Sequence, residues 1–145
     1  MIRRLLRAGE GFHEMPLVLF TALALPAAGI GAGSLVVALT GAGGLGSGPP
    51  ESAAIAGLLA LAVGFSAAHL GRPTRARRAL RKVGLSPLSN EVLAVAATVV
   101  AGVAVVILPR GSAVARSFGF LVPLLSTLVL VTLGLVYRLP GQLTW

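Results

Sequence analysis

The chain contains no cysteine, and its 145 residues include only four carboxylates, five Phe, one Tyr and one Trp. Without cysteine it forms no disulfide, offers no thiolate nucleophile and ligates no iron–sulfur cluster through sulfur, so an electron carrier of that kind has to sit on a partner. Charge is scarce as well: 11% of residues are charged, where a soluble domain has about 25%. What fills the chain instead is apolar, 56% hydrophobic residues and a mean hydropathy of +0.94. A sequence of this kind has no polar outer face to give to water and reads as an integral membrane protein. The formal charge of +8 at first suggests nucleic acid. The cations, however, lie in connectors beside apolar runs, and aromatics for base stacking are few, so anionic lipid headgroups and membrane orientation account for the charge better, with no nucleic-acid partner.

A bilayer core of about 30 Å is crossed by about 20 helical residues. Four charge-free windows meet that requirement, at about 16–40, 52–70, 92–108 and 117–137. Since only helices or closed barrels satisfy their backbone in hydrocarbon, and the windows are continuous rather than alternating, they predict an all-α integral membrane four-helix bundle with a single transmembrane domain over 1–145. Pro16 suits the first turn of the first helix, Pro26 is placed to kink it, and Pro123 lies near the start of the fourth. The run Gly41 to Pro50 and the segment Pro109 to Arg116 read as connectors. Arg3, Arg4 and Arg7 ahead of an apolar run resemble a signal peptide, but the run is too long for one and Glu10 and Glu14 intervene, so no cleavage is expected. The N-terminus, the second connector and the C-terminus hold nearly all of the Lys and Arg, leaving only Arg110 and Arg116 on the other side. The positive-inside rule then puts both termini in the cytoplasm.

Small residues recur at helical spacing, Gly29 with Gly33 and then Ala53, Gly57, Ala60, Gly64 and Ala68. These are either packing faces or the product of a composition rich in Ala and Gly. Ionisable residues next to lipid are costly and therefore natural site candidates. They are His13 and Glu14 before the first helix, His69 at the end of the second, Glu91 at the start of the third and Tyr137 with Arg138 at the end of the fourth. Alternating helix directions put all of them on one face. A quinol loses two protons as its electrons depart, and His69 with Glu91 forms a pair able to receive them. Structural roles are the alternative: Glu91 as a first-turn carboxylate behind a Ser89 or Asn90 cap, His69 as a C-terminal cap ahead of Gly71 and Pro73, and His13 with Glu14 as an interfacial anchor. The connector from Arg72 to Lys82, with six of the twelve cations, faces lipid or docks an acidic partner. Two histidines at helix ends are poorly placed to ligate one haem iron.

The segments FHEMPLVLFT (12–21), HLGRPTRARRAL (69–80), VGLSPLSNEV (83–92) and VYRLPGQLTW (136–145) resemble the membrane anchor subunit of dimethyl sulfoxide reductase and related molybdoenzymes. The resemblance implies a multi-pass protein of the inner (cytoplasmic) membrane that binds menaquinol and holds neither haem nor an iron–sulfur cluster of its own. It would be a non-catalytic, quinol-oxidising subunit that passes electrons to an iron–sulfur electron-transfer subunit and thence to a molybdopterin catalytic subunit. By motif, His69 and Glu91 take the quinol-site positions, with Arg72 beside them. The family's anchors usually have about eight membrane helices, so this sequence corresponds to the N-terminal half of one. Two other classes stay open at this point. A small transporter or channel subunit would use interior Thr21, Ser34, Ser66, Thr98, Ser126, Thr127 and Thr132 to line a path, and a purely structural tether would bind no quinone.

Overall fold

The computed structural model describes residues 2–41, 48–69, 84 and 87–136. Four helices account for them: α1 (Ile2–Leu39), α2 (Pro49–His69), α3 (Pro87–Ile107) and α4 (Ala113–Val136). Each contains an apolar stretch long enough to cross a bilayer, Val18–Leu39, Pro49–Ala67, Ser89–Ile107 and Ala113–Leu135, as the hydropathy windows predict. The helices form a ring in which every consecutive pair packs together and α1 closes against α4, while α2 and α4 touch across the diagonal. The result is an up-and-down bundle. Its centre is made of Ala24, Ala27, Ala28, Ile55, Leu59, Ala62, Val95, Ala101, Val122, Val129 and Leu133. Its outside is a continuous coat of Leu, Val, Ile and Phe, including Val18, Leu39, Val100 and Ile107, which suits acyl chains rather than water.

The helices begin earlier than the charge-free windows suggest, for reasons of local chemistry. Pro16 does not open α1; the helix already runs from Ile2 and passes through both Pro16 and Pro26. At α2, Pro49 and Pro50 are helical rather than part of the loop, since the first-turn N–H groups have no intrahelical partner and proline loses nothing there. The same holds for Pro87 at the head of α3. The α4 start is set by Ser112, whose Oγ accepts the Ala115 N–H at 3.1 Å, an N-cap that brings Arg116 inside the helix. The turn before it places Gly111 at φ 85 with Ser112 N donating to Pro109 O at 3.2 Å. A left-handed third residue of this kind is what a type II turn requires. Gly41, at φ 71, ends α1 in the usual glycine manner.

In lipid, helices associate through close packing rather than through release of water, so the positions of closest approach matter most. They are not the small-residue spacings visible in the sequence. Gly29, Gly33, Gly57 and Gly64 have open space where a Cβ would sit, and Ala53 and Ala60 face outward. The close approaches fall at Gly31, where a Cβ would collide with the Ser126 side chain of α4 and touch Ile55 of α2 at 3.5 Å, and at Gly102, where it would come within 2.9 Å of both Ala56 Cβ and Ser52 O of α2. Gly31→Ala and Gly102→Ala should each destabilise the bundle by about 1–3 kcal/mol. Gly29→Ala and Gly33→Ala should stay within about 0.5 kcal/mol. Reversible denaturant titration of the micelle-embedded protein, followed by helical circular dichroism, measures the difference.

Candidate site at the α2–α3 end

Glu91 lies in the second turn of α3, not the first. The helix begins at Pro87 and has no acidic residue in its opening turn, which removes the simple helix-dipole role for this carboxyl. Its side chain is only 4% exposed, with Ser89 equally buried beside it. Neither Ser89 nor Asn90 caps the helix. Asn90 turns outward instead, and its Oδ1 accepts the Gly84 N–H at 2.7 Å. Gly84 adopts φ 84, a left-handed conformation natural to glycine, and this bond ties Gly84 to the head of α3.

Helix register supplies the depth of Glu91. Gly102 packs on Ser52 and Ala56, and Glu91 lies about 16 Å back along α3 at about 1.5 Å per residue. That brings it level with Phe65 and Ser66 of α2. The last residue of α2, His69, follows within about one further turn toward the membrane face. The α1–α2 register, marked by the Ser34 hydroxyl donating to Glu51 Oε1, carries the same level to Phe20 and Thr21. His13 and Glu14 are therefore about 10 Å farther out along α1, and the single polar layer expected from the sequence separates into two depths. The backbones of His69 and Glu91 share an end of the bundle, with Glu91 the deeper. The side chains of His13, Glu14 and His69, and the whole of Arg72, Tyr137 and Arg138, lie outside the described residues.

The interior hydroxyls are mostly occupied by their own helices. Thr98 donates to Ala94 O at 2.7 Å, Thr127 to Pro123 O at 2.9 Å, and Thr132 to Leu128 O at 3.1 Å and Val129 O at 3.0 Å. Hydroxyls bonded back to the preceding turn are ordinary in apolar helices and do not mark a polar path. Among the described residues no group of His and carboxylate side chains suited to a metal ion is present. Sequence reasoning assigned nothing to Glu51 and missed the Ser34–Glu51 pair at the opposite end. The signal available was the brevity of the Gly41 to Pro50 connector, since a short connector keeps the α2 head close to the end of α1.

A bundle of four apolar helices with a carboxyl sunk into one end defines a polytopic α-helical membrane protein with a polar site near one boundary. The chain belongs to the DMSO reductase anchor subunit (DmsC) family, whose pattern it matches over residues 8–145. Two curated relatives from Escherichia coli (strain K12) are similar to it, both of them chains of anaerobic dimethyl sulfoxide reductases. One, YnfH, is 37% identical over 92 residues, which are 59% of this sequence and 31% of that protein. The other, the anaerobic dimethyl sulfoxide reductase subunit designated C, is 39% identical over 90 residues, 58% of this sequence and 30% of that protein. The matched region thus spans about a third of the length of either relative. No solved structure matches the chain.

The Asn90–Gly84 bond makes a local prediction. Asn90→Ala should accelerate amide hydrogen exchange at Gly84 about fivefold, the equivalent of about 1 kcal/mol, while leaving exchange in the α3 core from Val95 onward unchanged.

Proposed function

We propose that the chain is a membrane anchor subunit that oxidises menaquinol at the α2–α3 end and delivers the electrons to a partner. The observation that carries this reading is the burial of Glu91 in the second turn of α3, beside the end of α2. A carboxyl retained in lipid-embedded structure is costly, and Glu91 has no capping role to account for its place. Family membership supports the anchor role, and the His-Leu-Gly-Arg-Pro and Leu-Ser-Asn-Glu segments on either side of the connector support a quinol site.

In the proposed chemistry one quinol hydroxyl donates to His69 and the other to Glu91 or to water at the boundary. Two protons and two electrons leave the ring, which becomes the quinone. Arg72 would hold the emerging quinone oxygen or an anionic neighbour. The electrons go to an iron–sulfur subunit and from there to a molybdopterin catalytic subunit, because this chain has no cysteine to hold a cluster of its own. Histidine suits the first transfer since its ordinary pKa lies near neutrality.

In the assembled complex, His69→Ala and Glu91→Gln should each lower quinol-driven reduction of the terminal acceptor by about 100-fold, the scale of a lost proton-transfer group. Reduction driven by a soluble artificial dye should be unchanged. Full quinol activity in both variants rejects the site.

The proposed orientation, with both termini and the basic connector in the cytoplasm of a cell whose inner membrane holds the protein, rests on the charge asymmetry. The cysteine-free sequence makes it easy to test. Ser86→Cys should react with a membrane-impermeant maleimide only when the cytoplasmic side is open, and Arg110→Cys only from the opposite side. The reverse pattern inverts the topology.

A further inference from the structure

We infer that the first two turns of α4 form a binding site for the phosphate group of a membrane phospholipid, at the end of the bundle opposite Glu91. Arg116 is the central observation. The Ser112 cap starts α4 at Ala113, and the apolar span begins at the same residue, so the guanidinium is attached one turn inside the membrane segment. A cation there has to reach the boundary or find an anion. Among the described residues Arg116 meets no carboxylate, and the nearest candidate at that end of the bundle, Glu51, is engaged by Ser34.

A second feature lies directly at this side chain. A shallow, open groove of about 550 Å³ runs along the outer face of α4, lined by the exposed Arg116, Ser117, Phe120 and Leu121. Its composition is graded: the cation and a hydroxyl at the boundary end, then an aromatic and an aliphatic side chain one turn deeper. That is the profile of a glycerophospholipid, whose phosphate diester sits at the boundary and whose acyl chains run inward. The Ser117 hydroxyl donates to Ala113 O at 3.1 Å, so Arg116 is the principal side-chain donor to the phosphate. The α4 N-terminus adds positive potential of the same sign. Arg110, in the adjoining turn, is exposed like Arg116, but only Arg116 lines the groove.

Native mass spectrometry of the full chain in a non-ionic micelle, with added dioctanoylphosphatidylglycerol as the probe, tests the inference. The wild-type chain should retain one probe molecule. Arg116→Ala should weaken retention about tenfold, in line with the loss of a charge-assisted contact, with unchanged helical circular dichroism, and Arg110→Ala should retain the probe like wild type. Equal retention by Arg116→Ala overturns the site. So does equal retention of dioctanoylglycerol, which lacks the phosphate, since the groove would then read only acyl chains. Displacement of the probe by inorganic phosphate at comparable concentration would overturn the lipid as the source of the phosphate.

Discussion

Within a bilayer a polar group has to find its partner inside the protein, and that requirement organises this bundle more than any apolar contact does. The coat and the core have similar polarity, so apolar burial gives the helices little reason to prefer one another over lipid. Packing precision and polar satisfaction decide instead. The hydroxyls of Thr98, Thr127 and Thr132 turn back onto their own helices, leaving the helix surfaces effectively apolar. Gly31 and Gly102 let backbones meet where a methyl group would not fit. Ser126 is the one buried side-chain oxygen without a hydrogen-bond partner among the described residues. It lies against Gly31, at the tightest contact between α1 and α4, where its small volume is what the packing uses.

Among the described residues the ionisable side chains fall at the two ends of the bundle. At one end stands the Ser34–Glu51 pair, with Arg116 on the outside of α4. At the other stands Glu91, buried next to Ser89, with Asn90 accepting the Gly84 N–H beside it. The middle offers no continuous series of free polar groups, among the described residues, between these ends. This distribution weighs against the transporter reading, which needs an interior path, and suits a protein whose chemistry takes place at a membrane boundary.

The number and approximate position of the crossings were legible in the sequence because hydropathy over about 20 residues is a direct consequence of bilayer thickness. The helix starts were not. Charge marks where lipid begins, whereas hydrogen bonding decides where a helix begins, and Pro49, Pro87 and the Ser112 cap all place that point upstream of the apolar edge. This shift moved Glu91 from a first-turn position to a buried second-turn one, and it moved Arg116 from a loop into a helix. The packing glycines were illegible for another reason. In a chain with 19 glycines, four-residue spacings of small side chains arise freely, and only the three-dimensional register distinguishes Gly31, which touches two helices, from Gly29 and Gly33, which touch none. That the backbones of His69 and Glu91 share an end of the bundle was legible, since alternation of helix direction fixes the side of the membrane, but alternation says nothing of depth.

Depth has a chemical consequence for the proposed quinol site. Two proton-accepting groups at the same level would compete for one hydroxyl, whereas groups set about a turn apart along adjacent helices address different parts of a bound ring. The deeper Glu91 would meet the hydroxyl that enters the bundle, and His69, nearer the boundary, the hydroxyl that remains close to water. A proton on the inner group would then need an exit, and Glu91, in the second turn of α3, is a short distance from that end of the bundle.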